Sequence, residues 1–202
     1  SGIELADNSL FGRPNCFTLV VQHPRCVYIC CDTAEDRLDW LTALGPHCGQ
    51  LGFAPLQPSP KVKSFLTSLN LSVMEAKKFG LKAGAKTYGL VSFGGVKHAR
   101  TPKVVIKGES AFFGEEFVFS NVGQAVSGFS FDIYSRGNFA VKDKVAAGVP
   151  VTFAGLKENE EIDSWYDMWE EGGGKCGSVR LKVTLIKDIL LPVAEYDQLL
   201  EI

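Results

Sequence analysis

No apolar run in this sequence reaches the roughly 18 residues of a membrane-spanning helix. No basic segment followed by an apolar one stands at its start, so no secretory leader is read there. Methionine is scarce: Met74 and Met168 are the two, and the chain begins at Ser1. The expectation is a processed product or a piece of a longer protein. None of the six cysteines (Cys16, Cys26, Cys30, Cys31, Cys48 and Cys176) forms a C-x-x-C pair. Five fall in the first quarter, which excludes a disulfide framework spanning the chain. Buried, reduced thiols of a cytosolic protein are expected. A zinc site from Cys26, Cys30, His47 and Cys48 is disfavoured, because the spacing matches no closed tetrahedral site. Neither sign of charge is in excess: 21 basic residues stand against 23 acidic ones, for a net charge of −2. The total gives no general attraction to nucleic acid. With 46% hydrophobic residues, a disordered or collagen-like chain is excluded. The 202 residues leave room for one full domain and a remnant, or for two small domains.

The pattern divides into two blocks. In the first, residues 1–48, Cys16 to Val21 and Cys26 to Cys31 are short runs rich in β-formers, with a turn at His23-Pro24-Arg25. An antiparallel pair is predicted. A helix follows: Asp32 or Thr33 is a suitable N-cap, Glu35 and Asp36 place negative charge in the first turn, and Gly45-Pro46 ends it. Its apolar stripe is Trp40, Leu41 and Leu44. Two strands and one helix do not enclose a core, so the block reads as the end of a domain whose beginning is missing. Residues 49–64 carry Gly49, Gly52, Pro55, Pro58 and Pro60, a semi-stiff linker composition. The second block, 65–191, has strand-like segments around Leu69–Val73, Tyr88–Phe93, Val104–Ile106, Glu116–Phe119, Phe129–Tyr134, Val149–Phe153 and Val179–Ile186, with no long helix. Seven or eight short strands in this spacing predict an antiparallel β-sandwich, and a mainly β protein as a whole. Phe11, Phe17, Trp40, Phe117, Phe119, Phe129, Phe131, Trp165 and Trp169 are expected in the core. The paired carboxylates Glu160-Glu161 read as part of a solvated charge run.

Three stretches carry a family resemblance. Leu10-Phe11-Gly12-Arg13-Pro14-Asn15-Cys16-Phe17, with the strand pair and the Trp40 helix, resembles the C-terminal half of a pleckstrin-homology (PH) domain. Leu69-Asn70-Leu71-Ser72-Val73-Met74-Glu75-Ala76-Lys77-Lys78 and Glu115-Glu116-Phe117-Val118-Phe119 resemble the first strand and a later strand of a C2 domain. Leu191-Pro192-Val193-Ala194-Glu195-Tyr196-Asp197-Gln198-Leu199 resembles the segment that joins a C2 domain to a Ras GTPase-activating domain. The order is similar to Ras GTPase-activating proteins, most closely the class with Src-homology modules at the N-terminus. The resemblance implies a truncated PH piece at 1–48, a linker at 49–64, a C2 domain at 65–191 and the start of a connection to the catalytic domain at 192–202. The family's Asn-Pro-x-Trp is replaced by Ser110-Ala111-Phe112-Phe113, where a Phe stands in for the buried Trp.

The resemblance also shows what chemistry to look for. The family's arginine finger lies in a Phe-Leu-Arg motif within a helical domain and neutralises transition-state charge. None of Arg13, Arg25, Arg37, Arg100, Arg136 and Arg180 stands in such a motif, so no catalytic residue is assigned and this segment alone is not expected to activate a GTPase. Calcium-binding C2 domains use several aspartates, because Ca²⁺ takes six to eight oxygen ligands. The segment Phe79 to Thr87 has no carboxylate, and Ser135 and Gly137 stand where the family has aspartates, leaving Asp143. Neither a metal nor another cofactor is expected.

One positive signal remains. Between Ala76 and Gly108 lie eight basic residues and no acidic one: Lys77, Lys78, Lys82, Lys86, Lys97, Arg100, Lys103 and Lys107. By contrast, Lys157 to Glu171 holds seven acidic residues and one lysine. Lysines suit exposed strand edges. They also suit an anionic phospholipid surface, where each contributes roughly 1 kcal/mol. Four together give about 4 kcal/mol, a millimolar-range contact useful to a tethered protein. A peripheral, cytoplasmic, membrane-associated regulator of a Ras-class GTPase is the leading reading, with the basic surface also able to steer the GTPase. A stand-alone PH–C2 adaptor that binds lipid or protein is the alternative.

Overall fold

The computed structural model describes residues 2–22, 25–45, 48, 64–120, 122–123, 126–135 and 144–190. Of the expected linker, residues 49–63 lie outside the described residues, and so do Gly137, Asp143 and the segment from 191 onward; Ser64 belongs to a strand.

The first block contains β1 (Gly2–Leu5), β2 (Cys16–Gln22), β3 (Arg25–Cys30) and α1 (Ala34–Leu44). The strands form an antiparallel sheet in the order β1-β2-β3. The predicted pair is present, and β1, which the sequence reading missed, adds a third strand. Thr33 caps α1 by accepting a hydrogen bond from Asp36 N at 3.0 Å, and Gly45 closes it. A cap of this kind contributes about 1 kcal/mol. Leu41 and Leu44 of the predicted stripe pack against Ile3, Phe17 and Cys31, but Trp40 is 48% exposed.

Among the described residues the second block holds nine strands: β4 (Ser64–Lys77), β5 (Lys86–Phe93), β6 (Val96–Arg100), β7 (Val104–Val105), β8 (Ser110–Phe119), β9 (Gly128–Ser135), β10 (Lys144–Thr152), β11 (Glu161–Trp169) and β12 (Lys175–Leu190). They run in the order β6-β5-β9-β10-β11-β12-β4-β8, with β7 on β5. Between β10 and β11 the ladder narrows to a single pair, Gly148 with Trp169. The sheet therefore folds there into two facing halves, an antiparallel sandwich as expected. β6 and β11 were not anticipated. The core forms where the halves meet: Leu69, Leu71 and Val73 of β4, Phe129, Phe131 and Ile133 of β9, and Val179, Leu181 and Val183 of β12 are buried together. Alternation sends every second residue inward. Met74 is an extra residue relative to β12, so β4 burial passes from Leu69, Leu71 and Val73 to Ala76. Phe113 is buried and meets Phe131 edge to face at 5.8 Å, while Phe112 is 65% exposed. Gly89 is required beneath the Phe131 ring, because a Cβ there would lie 2.2 Å from it.

The two blocks share a core. β5 is buried at every position from Thr87 to Phe93, on both faces. One face meets the sandwich interior. The other, through Tyr88 and Leu90, packs against Ala6, Leu10 and Cys16 of the first block, with Tyr28, Cys30 and Tyr134 around them. Asp7 N donates to His98 O at 2.9 Å, and Arg100 N donates to Ser9 Oγ at 2.9 Å. The incomplete core expected for residues 1–48 is thus closed partly by the sandwich.

Two expectations are corrected. Cys16 and Cys30 are joined by a disulfide, their Cα atoms 4.0 Å apart, so the six thiols are not all reduced. The pairing follows from register: Cys16 stands directly opposite Cys30. Of the expected core aromatics, Phe11, Trp40, Trp165 and Trp169 are 41–48% exposed. For the last two the reason is strand parity, which turns them to the same side as Asp163 and Asp167, while Met168 is buried.

Candidate functional site at a lysine-bearing end of the sandwich

The eight basic residues do not form one patch. Backbone hydrogen bonds align the segment 78–87 with 104–110. Lys78 N donates to Glu109 O at 2.9 Å, Gly84 N to Ile106 O at 2.9 Å, and Ile106 N to Ala85 O at 3.0 Å. Lys86 stands opposite Val105, and Thr87 opposite Val104. A tight turn pairs Lys107 with Ser110. This network gathers Lys78, Lys82, Lys86, Lys103 and Lys107 at one end of the sandwich, all exposed. Among the described residues none of the five forms an ion pair.

The other three are engaged elsewhere. Lys77 pairs with Glu75 at 3.2 Å and lies over the Trp165 ring, 4.6 Å from its centroid. Lys97 stands over the Tyr134 ring at 5.4 Å, and its backbone meets the Tyr28 hydroxyl, which donates to Lys97 O at 3.4 Å and accepts from Lys97 N at 3.3 Å. Arg100 lies over Tyr88 at 5.6 Å. Both therefore sit at the junction with the first block.

Glycine makes the lysine end possible. Gly177 has φ +72, and a Cβ there would lie 2.0 Å from Lys77 O and 2.6 Å from Lys78 O. Only a residue without a side chain lets β12 pass this close to the start of the lysine loop. The Gly172-Gly173-Gly174 stretch forms the hairpin between β11 and β12, with Gly173 N donating to Glu170 O at 2.8 Å. It brings Glu170 beside the loop, its Oε1 3.6 Å from where a Cβ of Gly80 would be. Glu109 and Glu170 thus temper the charge of the five lysines, a feature the linear charge runs did not reveal.

The acidic run is solvent-exposed, as its charge suggested, and much of it builds β11, where most of its carboxylates meet basic neighbours. Asp163 accepts two hydrogen bonds from Arg180, at 2.8 and 2.7 Å. Those bonds, with the nearby Lys182, hold its carboxyl below the ordinary range. Asp167 pairs with Lys175 at 2.8 Å, Glu161 with Lys182 at 3.5 Å, Glu160 with Lys157 at 3.2 Å, and Glu158 with Lys187. The signal that could have found this strand is the period-two spacing of Glu161, Asp163, Trp165, Asp167 and Trp169.

On the outer face of β9, Asp132 has a carboxyl pushed up by burial, against the opposing hydrogen bond from Ser130 Oγ at 3.0 Å and the charge of Lys97. Among the described residues no three His, Cys, Asp or Glu side chains converge as a metal site, and no helix is long and apolar enough to cross a membrane.

No family model matches the chain. Among solved structures, human GIVD cytosolic phospholipase A2 is similar with a TM-score of 0.51 at 15% identity, over 63% of this chain and 17% of that one. A structure of CC2D1B, described as coordinating ESRCT-III activity during mitotic reformation of the nuclear envelope, is similar with a TM-score of 0.50 at 18% identity, over 75% and 71%. A C2 domain-containing protein from a putative elicitor-responsive gene matches with a TM-score of 0.48 at 12% identity, over 65% and 93%. The fold is the antiparallel β-sandwich that the sequence predicted. By sequence, the chain is 25% identical over 207 aligned residues to Ras GTPase-activating protein 1 of rat, and equally to that of human, in each case across 99% of this chain. The resemblance read from three short motifs therefore extends along the whole chain. The chain spans about a fifth of the length of these curated relatives.

Proposed function

We propose that this chain is a regulatory segment of a Ras GTPase-activating protein, and that it places a catalytic domain at an anionic phospholipid surface without calcium. On this reading residues 1–48 are the end of a PH domain, 65–191 are the C2 domain, and 192–202 lead toward the catalytic domain. The observation that carries the reading is the gathering of Lys78, Lys82, Lys86, Lys103 and Lys107 at one end of the sandwich, beside a loop with no carboxylate of its own. Similarity to Ras GTPase-activating protein 1 across 99% of the chain supports the parentage. The Ras-class GTPase is the partner of the parent protein, and the same lysines would attract its acidic surface.

Each lysine at the surface contributes roughly 1 kcal/mol, so four give about 4 kcal/mol, less what Glu109 and Glu170 oppose. The contact orients a tethered protein and does not anchor it alone. Cosedimentation with phosphatidylcholine vesicles, with and without phosphatidylserine, tests this. Binding is expected to need phosphatidylserine, to weaken at high salt and to be unchanged by calcium chelation. Replacing Lys78, Lys82, Lys86 and Lys107 by Ala is expected to weaken it at least about tenfold. Unchanged binding in that variant, or a tenfold gain with calcium, would overturn the proposal.

A further inference from the structure

We infer that Cys16 and Cys30 form a reversible oxidation site, exchanging with low-molecular-weight disulfides of the glutathione class, and that the bond sets how firmly the first block is seated on the sandwich. Cys16 stands opposite Cys30 across β2 and β3. Cys26 stands opposite Val20, and Cys31 belongs to the separate cluster of Ile3 and Phe17 on the other side of the sheet. Register thus gives Cys30 one partner.

The pair lies at the junction. Cys16 is fully buried among Ala6, Leu10, Tyr88 and Leu90, and Cys30 packs at the edge of the same cluster. Two residues along the same face, Tyr28 holds the backbone of Lys97. The bonded sulfurs occupy less room than two thiols at van der Waals contact. In a close-packed cluster the additional separation has to be taken up by the neighbours. Those neighbours include Tyr88 and Leu90 of the sandwich, against which Ala6 and Leu10 of the first block pack. The reduced form is therefore the more loosely seated one.

Exposure sets the order of the chemistry. Cys30 is half-buried and Cys16 is enclosed. Starting from the dithiol, the Cys30 thiolate attacks one sulfur of glutathione disulfide and expels one glutathione thiolate, leaving a mixed disulfide. The Cys16 thiolate then attacks the Cys30 sulfur and expels the second glutathione thiolate. The protein loses two protons and two electrons, and one glutathione disulfide becomes two glutathiones. Excess glutathione runs the sequence backwards.

The test uses the full chain, equilibrated in reduced or oxidised glutathione, with peptide-mapped disulfide assignment and amide hydrogen exchange on the same samples. The Cys16–Cys30 bond is expected in the oxidised buffer and two thiols in the reduced one. In the reduced sample the amides of Asp7, Lys97 and Arg100, which bridge the junction, are expected to exchange at least about tenfold faster. Those of Leu71 and Val183, deep in the sandwich, should not change. Cys30→Ser is expected to show the fast pattern in both buffers. If that variant does not fold, the two buffers on the unaltered chain still decide. Equal exchange at the junction while the bond is made and broken would overturn the inference. So would a glutathione adduct that stays on Cys30 without closing the bond, or a bond that excess glutathione leaves intact.

Discussion

The lysine end and the outer face of β11–β12 carry similar numbers of charged groups and use them in opposite ways. On the β11–β12 face the antiparallel ladder sets Asp163 opposite Lys182 and beside Arg180, so that opposite charges meet across the strands. At the lysine end the chain runs through turns, and Lys78, Lys82, Lys86, Lys103 and Lys107 arrive from two segments in which Glu109, across from Lys78, is the one carboxylate among the described residues. Charge on a strand is matched by its neighbours; charge on converging turns is matched less, and that surplus is what the proposed anionic surface would use. Surface ion pairs stabilise little. The pairing on β11 therefore does more to silence a charged face than to hold the fold.

The largest effect is expected where the two regions touch. Gly177→Ala puts a Cβ into the Lys77 and Lys78 backbone at a left-handed φ, and is expected to cost about 3 kcal/mol or more by urea denaturation. Gly172→Ala, in the neighbouring hairpin with open space around it, should cost within about 0.5 kcal/mol. Equal losses would break the view that the lysine end is positioned by this close approach.

Next in size is the charge itself. Lys82→Glu with Lys107→Glu is expected to weaken binding to phosphatidylserine vesicles roughly a hundredfold, whereas Lys97→Gln, at the junction, should change it by less than about twofold. A Lys97 effect as large as that of the double variant would mean that the eight basic residues act as one surface after all.

The smallest effect concerns the matched face. Arg180→Ala removes both hydrogen bonds to Asp163, so its carboxyl should titrate nearer the ordinary range by carboxyl NMR. The sign follows from a folded-state value that lies below the unfolded one. The contribution of the pair is present above the ordinary carboxylate range and is lost as pH falls through the depressed value. Melting temperatures of the two proteins should converge in acid. A gap that persists in acid would assign Arg180 a packing role instead.

Much of the fold was legible in the sequence. The alternation in Leu69-Asn70-Leu71-Ser72-Val73, the β-rich runs around Phe129 and Val179, and Thr33 before an acidic first turn are local signals, and local backbone physics follows them. β6 was missed because Val96-Lys97-His98-Ala99-Arg100 does not alternate. His98 and Ala99 are both buried, and the first block packs along this strand. β11 was missed because its charges masked a period of two. Of the candidate site, the basic residues were legible as a list. Their division into five at one end and three in other contacts was not, because it depends on which turn crosses which.

Composition and period were enough to determine that this chain is mainly β, that its second block is a sandwich, and that its basic and acidic residues are segregated along the sequence. These are properties of neighbours two to four residues apart. The tertiary structure alone decided that Glu158, Glu161, Asp163 and Asp167 of the acidic run pair with β12, that Cys16 reaches Cys30, and that Tyr88 and Leu90 are covered by the first block. Each of those facts joins residues whose separation along the chain says nothing about their separation in space; register and packing bring them together.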